Sequence, residues 1–199
     1  KDLGYEYVHM FSNGSLLNEV NREKLLSSGI DSFTMSVDSA VKEEYEKIRV
    51  RLKFDTVVTN MRELYKLKTD RGLKKPLIRV NMVALRENQN SRQIFLDTFS
   101  KASDIVEIMD SHNFAGGIAT DGAGNAYSQQ TRYPCHLLFL KAVVTPKGYL
   151  KKCSIDSGDH ALMANLNQVS LREALVNDKV QSLKKRMLNY TFNEPGCIN

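Results

Sequence analysis

Over residues 5–109 the chain alternates regularly between two kinds of segment, and this alternation constrains the fold more than any other feature. Stretches 5–11, 32–37, 77–85 and 105–109 are rich in β-branched and aromatic residues, as strands are. Stretches 18–28, 40–48, 54–68 and 90–100 instead repeat apolar residues at helical spacing. In 54–68, Phe54, Val57, Val58, Met61, Leu64, Tyr65 and Leu67 mark one broad face. Gly29 and the pair Arg71-Gly72 stand where helices stop. Strands separated by helices run parallel, with the helices outside the sheet, so the pattern predicts an α/β fold, open or closed as a barrel.

The texture changes after Met109. Residues 110–134 hold Gly116-Gly117, Gly122, Gly124 and Asn125 with no apolar period, and read as a loop or crossover. Stretches 136–144 and 149–155 flank Pro146-Lys147-Gly148 and predict a β-hairpin bracketed by Cys135 and Cys153. A further loop follows. Ser170, with Glu173 three residues on, predicts a capped helix over 171–188.

Composition removes several classes. With 199 residues, 42% of them hydrophobic, the chain is neither disordered nor collagenous. No apolar run approaches the roughly 20 residues of a membrane span, so no membrane partner is expected. The net charge of +5 is spread along the sequence rather than gathered in a stripe, so nucleic acid is not an expected partner either. Three cysteines, an odd count, point to a reducing, cytoplasmic location. The chain opens without Met and closes on Pro195-Gly196-Cys197-Ile198-Asn199, so both ends read as cut.

Chemistry in parallel α/β folds sits at the carboxyl ends of the strands. Those ends carry Ser12-Asn13-Gly14, Ser36-Val37-Asp38 and Glu107-Ile108-Met109-Asp110, and the third strand contains Arg79-Val80-Asn81, where Arg79 and Asn81 share a face. Such residues could ring one pocket, with serine hydroxyls and Asp38 taking a ligand's polar groups and Arg49 pairing a carboxylate. A nucleoside or an amino-acid-like ligand would suit it. Each residue has a plainer role too: Asn13-Gly14 as a turn pair, Asp38 as the cap of the helix beginning near Ala40, Arg49 as a surface cation. Cys135, Gly148 and Cys153 could bring two thiolates to one soft metal or iron–sulfur cluster, be two buried thiols, or pair as a disulfide. The four histidines His9, His112, His136 and His160 show no ligand spacing.

The ordered segments resemble the radical S-adenosylmethionine (radical SAM) enzymes that carry a C-terminal SPASM extension. The carriers are Phe11-Ser12-Asn13-Gly14-Ser15-Leu16-Leu17, Leu25-Leu26-Ser27-Ser28-Gly29-Ile30-Asp31, Met35-Ser36-Val37-Asp38-Ser39 and Tyr45-Glu46-Lys47-Ile48-Arg49. The stretch from Ile78 to Leu85 is similar to a strand of the molybdenum-cofactor cyclase branch, and Cys135, Gly148 and Cys153 are similar to the SPASM opening C-x9-15-G-x4-C. The resemblance implies a partial (βα)6 barrel over 1–111, a connecting loop over 112–134 and the start of a SPASM domain over 135–199. It implies S-adenosylmethionine (AdoMet) near Ser12, Asn13, Gly14, Ser36, Asp38, Arg49, Asn81 and Met109. It assigns Cys135 and Cys153 to an auxiliary [4Fe–4S] cluster and Cys197 to a second. The implied activity is generation of a 5′-deoxyadenosyl radical for hydrogen abstraction from a peptide, sugar or other small substrate, with an external electron donor.

The sequence departs from that pattern in lacking the C-x3-C-x2-C motif that holds the SAM-cleaving cluster, and the G-G-E motif after it. The expectation is therefore an internal piece of such an enzyme, inactive by itself, with an unpaired strand edge beside residues 5–11 prone to association. Two other readings compete: a non-catalytic AdoMet- or nucleoside-binding module, and a zinc-binding structural module with His136 or His160 completing the ligand set.

Overall fold

A computed structural model describes residues 3–111, 133–156, 159 and 161–192. Four parallel strands pair in chain order: β1 (His9–Ser12), β2 (Ser32–Ser36), β3 (Leu77–Ala84) and β4 (Ile105–Asp110). Between them run α1 (Glu19–Ser27), α2 (Lys42–Ile48), α3 (Phe54–Asp70), a 3-10 turn (Arg86–Asn88) and α4 (Arg92–Phe99). The alternation thus gives the parallel α/β layer expected of it. The first strand is shorter than the sequence suggests and begins at His9: Tyr5 and Tyr7 precede the ladder and are exposed. Asp31 fixes that starting point by accepting the Val8 N–H on one carboxylate oxygen (2.8 Å) and Lys75 on the other (2.6 Å).

Side chains alternate across the sheet. Phe33, Met35 and Val37 on the second strand segment, and Ile78, Val80 and Met82 on the third, all point to the helices and are fully buried. Val57, Met61 and Leu64 of α3 and Phe95 and Phe99 of α4 meet them in one apolar cluster. Each such side chain contributes about 1.5–3 kcal/mol by leaving water, so this face supplies the cohesion of the layer. The opposite face carries Thr34, Ser36, Arg79, Asn81 and Glu107, and is polar.

One buried cation ties the helices to the sheet. Lys68 near the end of α3 lies almost wholly inside and pairs with Asp104, whose carboxylate also accepts the Ile78 N–H (2.6 Å). Asp104 thereby anchors α3 and the start of β3 together.

The chain divides into two compact units, Lys1–Ser111 and His112–Asn199. In the second, α5 (Leu137–Leu140) precedes a three-stranded antiparallel sheet of β5 (Val143–Val144), β6 (Tyr149–Lys151) and β7 (Leu162–Asn165). The expected hairpin is present but short. Residues 137–140, expected as strand, form a helical turn, because the Leu140 and Lys141 N–H groups bond back to His136 and Leu137. Gly148, at φ 81, makes the turn that only glycine adopts freely. The strand at 162–165 falls where a loop was expected.

The helix expected over 171–188 is two helices, α6 (Leu171–Val176) and α7 (Asp178–Leu188). Ser170 and Glu173 form the anticipated reciprocal cap. The break is made by Asn177, whose Oδ1 accepts the Val180 N–H and whose Nδ2 donates to the Met163 carbonyl. A tertiary contact to β7 outweighs helix continuation there. Leu150, Met163, Ala174, Val180 and Leu183 form this unit's core.

Replacing Asp104 with Ala leaves Lys68 charged and buried and orphans the Ile78 N–H. Urea unfolding should show a loss of roughly 3 kcal/mol or more, the scale of a buried pair broken from one side. Lys68→Met should cost clearly less, since Asp104 keeps the Ile78 N–H and is itself partly exposed.

Candidate functional site

The loop after β1 is built by its own side chains. Ser12 Oγ accepts the Gly14 N–H (3.1 Å), and Asn13 Oδ1 accepts from the Ser15 N–H and hydroxyl (3.0 and 2.8 Å). Gly14 is buried at φ 74, and a Cβ there would collide with the Met35 methyl. From α3, Asn60 donates to the Gly14 and Ser15 carbonyls (3.0 and 3.4 Å). Arg22 of α1 holds the Leu17 carbonyl (2.7 Å). By register Ser12 stands opposite Met35, not Ser36, so its side chain is on the helix-facing side. Asn13 and Gly14 do the turn-making that their types suggest.

Asp38 is the centre of a second group. It sits just past β2 at φ 64, a left-handed conformation costing a non-glycine residue about 1 kcal/mol or more. Its backbone N–H bonds the Asn81 carbonyl (3.4 Å), and four further contacts hold it. Its Oδ2 takes Arg49 Nε and Nη2 (2.6 and 2.5 Å), its Oδ1 takes the Val83 N–H (2.8 Å), and its carbonyl takes Asn88 Nδ2 (2.6 Å). Arg49 is thus the partner of Asp38, not a free surface cation. The helix entry near Ala40 is served by Ser39 rather than Asp38: Ser39 Oγ accepts the Val41 N–H and donates to Glu44. Tyr45 lies beneath, fully buried; its hydroxyl has no partner among the described residues, and burial pushes its pKa up.

The polar face of the sheet gathers the rest. Ser36, Asn81 and Glu107 stand opposite one another on β2, β3 and β4. Asn81 is only 6% exposed; its Nδ2 meets Met109 Sδ (3.4 Å), while its Oδ1 has no hydrogen-bond partner among the described residues. One row back, Arg79 grips Glu107 through Nη2 and Nε (2.5 and 3.3 Å). His9 on β1 bonds Thr34 of β2 (2.7 Å) and stacks on Phe11 at 4.4 Å. Burial first, then the nearby Arg79, hold the His9 ring below its ordinary pKa; Glu107 opposes them. A buried acceptor without a donor, beside a methionine and a serine, is suited to a ligand hydroxyl or amine.

In the second unit Cys135 is exposed and Cys153 half-buried, and both are free thiols. Among the described residues no three His, Cys, Asp or Glu side chains converge as a metal site. Cys197, His112 and His160 lie outside the described residues.

Sequence reasoning placed Ser36 and Met109 at strand ends and Asn81 within the third strand, and the fold brings these three together. It missed Asn88, Asn60 and the His9–Thr34 pair. Asn88 and Asn60 have no periodic signal, because their roles depend on contacts 50 and 46 residues away. His9 and Phe11 could have been found from their i, i+2 spacing on a strand.

No protein-family model matches the chain, and no curated protein does. Solved structures do. SuiB from Streptococcus suis is similar with a TM-score of 0.65 at 13% identity, over 89% of this chain and 50% of that one. A structure titled anSMEcpe with bound AdoMet gives 0.58 at 13%, over 92% and 59%. BtrN in complex with AdoMet and 2-DOIA gives 0.50 at 17%, over 97% and 59%. At these identities the likeness is one of fold. The chain spans between half and three fifths of the length of these structures.

His9 provides a check on the polar face. Its ring should titrate below the ordinary 6.5 when followed by NMR. The folded chain favours the neutral ring, so the unfolded chain binds more protons in that window. Stability from His9 is then fully present above pH 6.5 and is lost as pH falls through the folded midpoint. His9→Gln should remove that part of the acid-side slope in urea unfolding.

Proposed function

We propose that this chain is the AdoMet-binding part of a radical SAM enzyme, with the ligand's nucleoside against the carboxyl ends of β2, β3 and β4. The observation that carries the reading is the buried, partnerless Oδ1 of Asn81, flanked by Ser36 in register and by Met109. It fits a ligand that brings a hydroxyl or amino donor, which a nucleoside does. The motif resemblance around Ser36, Asp38 and Arg49 supports the same ligand, as do the bound AdoMet of the similar structures and their shared fold.

In this reading Asn81 accepts from the ligand, Ser36 adds a hydroxyl at the next strand, and Met109 lies at the edge of the nucleoside. Asp38 and Arg49 do not reach out. They hold the β2–α2 corner in its left-handed turn and so fix where Ser36 stands. Bound AdoMet would supply hydrogen-abstraction chemistry once reduced by an iron–sulfur cluster. The cluster's three-thiolate motif is not in this sequence. Cys135 and Cys153 fit an auxiliary cluster by spacing alone; the two thiols do not by themselves make a ligand set. An external electron donor and a peptide, sugar or other small substrate complete the proposal. One neighbour is titled with a peptide and another with 2-DOIA.

The 199-residue chain should bind AdoMet in calorimetric titration. Asn81→Leu should weaken that binding at least tenfold, about 1.4 kcal/mol, as expected for a buried hydrogen bond lost. No binding, or binding indifferent to Asn81, would overturn the assignment. With dithionite as reductant after iron–sulfide reconstitution, the chain alone should form no 5′-deoxyadenosine.

A further inference from the structure

The polar face holds a second group of residues that the AdoMet reading does not use. Arg79 is pinned side-on by Glu107, which occupies Nε and one hydrogen of Nη2. A guanidinium carries five donors. Nη1 therefore remains open, and among the described residues no further partner meets it. The Arg79 side chain is 22% exposed. Glu107 removes the rotamer freedom that a free arginine would lose on binding, which prepares Arg79 for an oxygen ligand.

In the same row, two strands away, stands Phe11, in register with Thr34, which is in turn in register with Arg79. Two strand spacings make roughly 10 Å. Phe11 is 64% exposed, stacked on His9, which in turn meets Tyr7 edge-on. Three rings thus line the β1 side of the face and one prepared guanidinium its centre. Exposed aromatic clusters of this kind mark binding surfaces. The nearby imidazole is held toward its neutral form, so the guanidinium of the Arg79–Glu107 pair is the donor that the row presents.

We infer that this face is the substrate platform: Arg79 takes a carboxylate through Nη1, Glu107 positions Arg79, and the Tyr7–His9–Phe11 ladder takes a flat apolar or aromatic group. The substrate class is an organic acid with a ring or other planar apolar group within about 10 Å of its carboxylate. This deepens the AdoMet reading by naming the chemistry of its co-substrate, yet it rests on other residues.

Hippurate (N-benzoylglycine) carries both features and serves as the probe. It is titrated into the full 199-residue chain and followed by NMR, with AdoMet titrated separately. Hippurate should shift resonances of the β1 and β3 residues. Its uncharged amide, hippuramide, and acetate, which lacks the ring, should each bind at least tenfold more weakly. Arg79→Met should weaken hippurate at least tenfold. Phe11→Ala, an exposed change that leaves the core intact, should weaken it severalfold even if Arg79→Met proves unstable. Glu107→Gln, which keeps one acceptor for Arg79, should retain more affinity than Glu107→Leu at equal helix content by circular dichroism. Absence of hippurate binding, equal binding of hippuramide, or indifference to both Arg79 and Phe11 would overturn the inference. The AdoMet titration reports on Asn81 independently, so either reading can fail without the other.

Discussion

A single buried carboxylate organises the ends of the strands. Asp38 joins four pieces of chain distant in sequence: its own turn after β2, Arg49 at the end of α2, the Val83 backbone in β3 and Asn88 in the 3-10 turn. Asn88, fully buried, extends the connection by also donating to the Val83 carbonyl and accepting the Leu85 N–H. The strained backbone at Asp38 persists because these bonds over-determine it. They add to the ladder pairing of Ser36 with Asn81 and to the Val37 N–H bond to the Asn81 carbonyl in holding the β2–α2 corner tight. The residue most suggestive of ligand binding in the sequence thus acts through the frame that presents the ligand-facing residues.

The sheet separates two tasks by face. Phe33, Met35, Ile78, Val80 and Met82 face the helices and supply cohesion. Thr34, Ser36, Arg79, Asn81 and Glu107, one residue out of phase, face away and are available for recognition. Because strand side chains alternate, a one-residue slip of β3 would bury Arg79 and Asn81 in the apolar layer and expose Ile78 and Val80. Asp104 guards against that slip by taking the Ile78 N–H while holding Lys68.

The parallel layer was legible in the sequence because each helix and strand there carries its own period. The seventeen residues of α3 repeat their apolar positions over several turns, and β2 and the first half of β3 alternate apolar with polar types. The second unit was less legible for a physical reason. Its strands are two to four residues long, too short for a period, and its long helix is broken by Asn177 reaching the Met163 carbonyl. At the site, Asn81 and Arg79 were visible as alternate residues of one strand. Ser12 seemed equivalent to Ser36 only because each ends a strand. Register, which sequence does not reveal, puts Ser12 opposite Met35 and so on the other face.

Asn60 and Lys68 both belong to α3 and both are committed, one to the Gly14 loop and the other to Asp104 at the base of β3. Eight residues of helix separate them, a rigid span of about 12 Å. The helix therefore works as a ruler whose two marks are read at opposite ends of the sheet. Adding or deleting one residue between the marks would turn one anchor by about 100° relative to the other. Homologous chains should thus vary freely in the loops around α3 while keeping the length of this interval unchanged.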